Sequence, residues 1–168
     1  MGATEYVDRV DDRDRVIGAV PRAEALRHGW LHRIAATVCR DPGGRILVYR
    51  RPGGAARYPD HHDVMFGGAV AAGESYAGAA ARELHEELGV RAAVRPVVRF
   101  LCHGVLGTYW LAVHETTLTG PIDPDPREVA WHGWVAVPDL PALVRQRQFI
   151  PDGQQAFRRY ALVSAGGA

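Results

Sequence analysis

Gly68-Ala-Val-Ala-Ala-Gly73-Glu74-Ser-Tyr-Ala-Gly-Ala-Ala-Ala-Arg82-Glu83-Leu84-His85-Glu86-Glu87-Leu88-Gly89-Val90 is the stretch on which the reading of this chain turns. Its composition predicts a helix from Glu74 to Leu88, closed by Gly89 in the usual C-terminal position. At 100° per residue, Ala77, Ala81, Leu84 and Leu88 are expected to face inward. Glu83, Glu86 and Glu87 are spaced i, i+3 and i+4, so they share one neighbouring face. Like charges placed so cost roughly 0.2–0.5 kcal/mol per pair on an exposed helix. They also crowd the last turn, where the helix dipole is already negative. A bound cation removes the conflict, and clustered carboxylates suit a hard ion such as magnesium. The alternative is a solvated amphipathic helix, which most charge runs are.

Working outward, Gly68 and Gly73 bracket a tight loop that lets backbone or phosphate approach closely. Arg82 lies four residues before Glu86 and near Glu74, well placed to orient one carboxylate and leave others free for metal. Upstream, Glu5 to Val20 reads as a hairpin turning at Asp11-Asp12-Arg13-Asp14, and Pro21 opens a short helix through His28. Leu31 to Cys39 and Ile46 to Tyr49 are paired strands across the turn Asp41-Pro42-Gly43-Gly44. Arg50 to Asp63 is a loop. Val94 to Cys102, Thr108 to Thr117 and Val129 to Val137 are further strands, and Pro138 to Arg147 and Asp152 to Leu162 are helices. Irregular order without βαβ alternation predicts an α+β fold, an α/β/α sandwich, rather than a doubly wound sheet.

The 168 residues suit one domain with a sizeable core, read here as spanning 1–168 with an N-terminal hairpin and helix at 5–30. Twenty basic against nineteen acidic side chains leave a net charge of +1, which argues against a nucleic-acid polymer or a membrane surface as partner. Every basic residue is Arg, so any cationic phosphate contact must come from a planar guanidinium. Cys39 and Cys102 sit far apart in apolar runs and read as buried free thiols, consistent with a reducing cytoplasm.

The segment 68–90 resembles the signature of Nudix hydrolases: Gly, five residues, Glu, seven residues, then Arg-Glu-aliphatic-any-Glu-Glu-any-Gly-aliphatic. Gly68, Glu74, Arg82, Glu83, Leu84, Glu86, Glu87, Gly89 and Val90 meet every specified position. The hairpin, Leu31-His32-Arg33, Arg50-Arg51 and the Tyr58 to Asp63 loop are similar to the subgroup related to isopentenyl-diphosphate isomerase, over roughly Val7 to Val90. The resemblance implies a Nudix α/β/α sandwich with a mixed central sheet. It also implies hydrolysis of a small-molecule diphosphate, Mg2+ (or Mn2+) as cofactor, and, as in many relatives, a homodimer. Glu83 and Glu87 are the implied metal ligands, with Glu86 and the Gly68 carbonyl after them.

Other residues carry open alternatives. Arg50, Arg51 and Arg57 are phosphate clamps or solvated loop arginines. Glu128, after a Pro-rich loop, is a candidate general base by position, beside Glu86. His32, His61, His62 and His85 read as structural or surface residues, and Trp110, Trp131, Trp134 and Phe100 as core. Prenyl-diphosphate isomerisation and a non-catalytic ligand-binding module stand as competing functions. Against the first, alignment on Gly73-Glu74-Ser75 puts Gly67 and Ala69 where the isomerases carry a catalytic cysteine and a metal-binding histidine.

Overall fold

The computed structural model describes residues 3–166. It opens with an antiparallel hairpin, β1 (Tyr6–Val10) and β2 (Val16–Pro21), followed by the short helix α1 (Arg22–His28), which stops at Gly29 in the left-handed conformation. The central sheet is mixed. Strand β3 (Arg33–Arg40) runs parallel to β8 (Gly107–Thr117), which pairs antiparallel with β7 (Arg95–Gly104). On its other edge β3 meets β4 (Ile46–Arg50) only at Arg40, then splays away, and β6 (Phe66–Ala69) fills the gap. The two-residue β5 (His62–Asp63) and β9 (Trp131–Val135) flank β4. Strands β5 and β6 lie where the sequence predicts only a loop and a small apolar segment. Such short strands hold only through their partners.

Alternation along the strands divides the core between two faces. Cys39, Leu47, Tyr49 and Phe66 pack with Leu84 and Leu88 of the helix α2 (Tyr76–Leu88). Val38, Ile46, Val48, Leu111 and Val113 face the other way, toward Leu140 of α3 (Leu140–Gln146) and Ala156 and Tyr160 of α4 (Pro151–Ala165). Helix, sheet and helix thus form an α/β/α sandwich. A short 3-10 turn at Val137–Asp139 precedes α3, so the expected β9 and α3 both shorten at that proline-containing corner. Among the described residues no helix is long and apolar enough to cross a membrane.

The predicted helix needs two corrections. It begins at Tyr76, because Ser75 caps it by accepting from the Gly78 N–H at 3.0 Å. Its inward residues are Ala79, Ala80, Leu84 and Leu88; Ala77 is exposed, and Tyr76 packs on the core in its place. Trp131 is also corrected, being 43% exposed at the sheet edge against His62, whereas Phe100 is buried.

Asp14, at the hairpin turn, is buried and left-handed with φ 61°, a conformation that Asp tolerates better than most residues. Its side chain accepts from Arg33 Nε at 2.6 Å and Tyr76 Oη at 3.0 Å, and meets Arg99 Nη1 at 2.9 Å. This carboxylate ties the hairpin to β3, β7 and the start of α2.

Candidate active site

The acidic helix ends in a cleft of about 570 Å³. One wall is α2 with Glu83, Glu86 and Glu87. The floor is Gly67, Gly68 and Ala69 of β6, and Arg51, Asp125, Arg127, Glu128 and Arg22 complete the rim. The loop 123–125 is held there because Asp123 N–H donates to the Leu88 carbonyl and Asp125 N–H to the Glu87 carbonyl, both at 2.8 Å. These bonds satisfy carbonyls left open at the helix end and bring Arg127 and Glu128 over the carboxylates.

The three glutamates are not equivalent. Successive residues turn by about 100°, which places Glu87 inside the arc spanned by Ala79 and Leu88. Its Oε2 is sealed from solvent and has no hydrogen-bond partner among the described residues. Burial, then the charges of Glu83, Glu128 and Asp63, push its carboxyl well above the usual carboxylate range. Glu83 is also pushed up, chiefly by burial, against the opposing pull of Arg82. Glu86 is more open, its side chain 56% exposed.

Arg82 organises the rest. Its Nε and Nη2 donate to both oxygens of Glu74 at 3.0 Å, Nη2 also to the Ala69 carbonyl at 3.0 Å, and Nη1 to Glu83 Oε1 at 2.7 Å. Glu86 lies 3.4 Å from Nη1. The hydrogen bonds from Arg82 hold the Glu74 carboxyl below its ordinary value. Glu74 in turn accepts from Ala71 N–H at 3.0 Å, so the loop before the helix is clamped to the helix. Gly68 lies directly under the Glu83 carboxylate: a Cβ there would come 2.5 Å from Oε1, so the carboxylate would have to move.

Among the described residues no three acidic, His or Cys side chains close around one point. Glu83, Glu87 and the Gly68 backbone nevertheless fit a divalent ion, because the buried Glu87 Oε2 lacks a partner and the donors are all hard oxygens. Magnesium suits a partial cage, since it usually keeps several waters.

The predicted arginines separate. Arg51 lines the cleft, with Nη1 3.6 Å from Glu128 and Nε donating to the Arg57 carbonyl at 3.0 Å. Arg50 instead pairs with Asp60 at 2.5 Å, away from the cleft lining, and Arg57 is exposed. His85 is exposed; His32 is buried with Nδ1 3.1 Å from the Trp30 carbonyl; His62 is buried between Trp131 and Phe149, and His61 sits beside Tyr58. None of the four lines the cleft. Beside Glu87 lies a buried carboxyl that sequence reading passed over, Asp63, which burial raises to about 7 although Val64 and Met65 N–H groups donate to it. Arg22, Asp125 and Arg127 were also missed, and only the charge pattern of Asp125-Pro-Arg-Glu hinted at the last two.

Residues 30–153 match the NUDIX domain. The chain belongs to the Nudix family. It is 41% identical over 160 residues to an uncharacterized Nudix hydrolase of Streptomyces coelicolor, across 94% of this chain and 88% of that protein. It is 38% identical over 148 residues to an isopentenyl-diphosphate Delta-isomerase of Nocardia farcinica, across 84% of this chain and 82% of that one. A crystal structure of a Deinococcus radiodurans protein superposes with a TM-score of 0.78 at 27% identity, over 93% and 99% of the two chains. The matched span includes the glycine, arginine and glutamates of the cleft, and the α/β/α sandwich is the Nudix fold.

Proposed function

We propose that this chain is a Mg2+- or Mn2+-dependent hydrolase of a diphosphate linkage in a nucleoside diphosphate derivative or a similar small molecule. The observation that carries the proposal is the Glu87 Oε2, buried and without a partner among the described residues, in the cleft that Glu83 and Gly68 also line. A sealed carboxylate without a donor is costly, and a cation is the ligand that relieves it. Glu83 and Glu87, with Glu86 and the Gly68 carbonyl, would hold the ion, which when bound neutralises phosphate oxygens and acidifies water.

The protein's own contribution follows from the geometry. Arg51 and Arg127 bring guanidiniums to the cleft against the substrate's phosphoryl oxygens. Arg82 is a positioning residue, fixing Glu83 and Glu86 relative to Glu74. Water attacks phosphorus, the bond to the bridging oxygen breaks, and the water's proton passes to a carboxylate. Glu86 and Glu128 are the more open carboxylates of the cleft, and they take that role in this reading.

Isomerisation of a prenyl diphosphate is the second reading, favoured by the Nocardia farcinica relative. It needs an acid and a base on opposite sides of the substrate carbon skeleton. Position 67 offers neither: a Cβ there would collide with the Ala35 carbonyl, because β6 presses against β3 at that register. Two assays decide. Phosphate release from a panel of diphosphate compounds at alkaline pH is expected with magnesium and lost in chelator. Exchange of solvent deuterium into isopentenyl diphosphate is expected to be absent; exchange at an enzymatic rate would overturn the hydrolase reading.

A further inference from the structure

The N-terminal hairpin and α1 lie outside the matched residues 30–153, yet Arg22, the first residue of α1, reaches the rim of the cleft. Strand β1 runs beside the loop ahead of the Nudix helix. Ala72 N–H donates to the Tyr6 carbonyl at 2.9 Å, Gly73 N–H donates to Asp8 Oδ2 at 3.1 Å, and Val7 bridges to Ala71. Val7, Ala25 and Ala69 then pack into a small apolar cluster that seats α1 over β6. The first residue of that helix is Arg22, whose N–H donates to the Glu5 carbonyl at 2.8 Å.

The Arg22 guanidinium is poorly satisfied. Nη1 meets Glu5 Oε2 at 3.1 Å, in a pair whose side chains are 31% and 49% exposed. Ion pairs this open contribute little. Its Nε is sealed from solvent and has no partner among the described residues. The nearby cleft carboxylate does not answer it, since Glu83 is held by Arg82. Arg22 lines the same cleft as Glu83 and Glu86, which sets the Glu5–Arg22 pair beside the Nudix glutamates. Arg51, by contrast, lines the cleft on the Glu128 side, with Nη1 3.6 Å from that carboxylate. The cleft therefore carries the guanidiniums of Arg22, Arg51 and Arg127 on its rim.

Resting on the diphosphate reading above, we infer that Arg22 is a substrate-binding residue that grips one phosphoryl group of the diphosphate, with Glu5 as the internal competitor it leaves on binding. The two Nη groups of a guanidinium form a fork matched to two phosphate oxygens, and on Arg22 Glu5 engages Nη1 of that fork. An oxyanion seated there takes over the Nη1 contact that the open Glu5 carboxylate otherwise makes. Arg51 then meets the second phosphoryl group, so the span between the two guanidiniums selects a diphosphate over a monophosphate.

The test is calorimetric titration of the full chain in magnesium with methylenediphosphonate, a diphosphate mimic that is not hydrolysed. Arg22→Ala is expected to weaken binding about tenfold, the loss of one charge-assisted hydrogen bond. Arg22→Lys should recover part of that loss, and in turnover assays KM should rise in Arg22→Ala more than kcat falls. Glu5→Gln, which removes the competitor and leaves the arginine, should tighten binding; it also decides the matter where Arg22→Ala fails to fold. Equal binding by wild type and a folded Arg22→Ala, no recovery in Arg22→Lys, or weaker binding by Glu5→Gln would overturn the inference. Wild-type hydrolysis is scored separately. Arg22-dependent binding without any hydrolysis would sink the hydrolase reading and leave the phosphate site standing.

Discussion

The two ends of helix α2 handle charge in opposite ways. At its start, one buried carboxylate, Asp14, faces two guanidiniums and a phenol, those of Arg33, Arg99 and Tyr76. At its end, Glu83 and Glu86 share one guanidinium, that of Arg82, and the most deeply set glutamate, Glu87, leaves an oxygen with no donor among the described residues. Both clusters are partly buried and both use the same residue types. The first is closed: every strong acceptor is answered, so removing a member can only cost stability. The second is open, and a fold that tolerates such an opening has a use for it.

The largest effect that sharpens this contrast is expected from Glu87→Gln. Turnover should fall by about three orders of magnitude, roughly 4 kcal/mol of activation free energy, without loss of the fold. In chelator, the variant should melt no lower than wild type and somewhat higher at neutral pH. The sign follows from the raised carboxyl. The folded state holds the Glu87 proton more tightly than the unfolded chain, whose value is near 4.5. Wild type therefore keeps its full stability below that value and loses some as pH climbs toward the folded value. The advantage of the glutamine should vanish on acidification to about pH 4. Melting curves across pH check it; a variant less stable than wild type at pH 8 would mean the glutamate is structural.

Asp14→Asn gives the opposite signature at the other end of the helix. The asparagine keeps the left-handed turn but strands the Arg33 guanidinium, whose side chain is 17% exposed, in a partly buried site. Breaking such a pair costs about 3 kcal/mol, which lowers the melting midpoint by about 6–12 °C for a chain of this size. At low temperature kcat should stay within about threefold of wild type, since none of these groups lines the cleft.

The sequence announces the second cluster and conceals the first, for a physical reason. Residues on one helix are placed by local geometry, so Glu83, Glu86, Glu87 and Arg82 could be gathered from spacing alone. Which of them is sealed was not legible. A helical wheel gives the faces but not their rotation against the sheet, and taking Ala77 and Ala81 as inward kept Glu87 on the open side. Tyr76 and the pair Ala79–Ala80 in fact meet the sheet, and that rotation draws Glu87 under cover. The Asp14 network joins residues from the hairpin, β3, α2 and β7, which only the topology brings together. Arg22 and Arg127 reach the cleft by the same long-range route. Strands β5 and β6 were hidden because two and four residues carry too little pattern to announce a strand. The α/β/α layering, by contrast, was readable from the order of long apolar runs.

Arg51 offers an intermediate effect. It is the one predicted arginine of the Arg50, Arg51 and Arg57 set that lines the cleft, and its side chain is 24% exposed. Arg51→Ala should raise KM about tenfold, the loss of one charge-assisted contact to phosphate. The change should be far smaller in Arg50→Ala, whose partner Asp60 is itself 59% exposed. Steady-state kinetics on whichever diphosphate compound proves active will separate the two. Equal effects would mean that the loop closes over the substrate and that position in the free protein does not define the clamp.

The smallest effect tests how far the open cluster extends. Arg57 is exposed, and what it gives the site is its backbone: the carbonyl that accepts from Arg51 Nε at 3.0 Å. That bond steers the Arg51 guanidinium toward Glu128 and the cleft. An alanine at position 57 keeps the carbonyl, so Arg57→Ala should change both KM and kcat by less than about twofold, within the scatter of surface substitutions. Displacing the carbonyl is another matter. Arg57→Pro removes the N–H and restricts Ala56 toward extended conformations, which shifts the turn and should raise KM toward the value of Arg51→Ala. A large effect from the alanine would place the Arg57 side chain on the substrate, so that its exposure in the free protein reflects a loop waiting for its ligand.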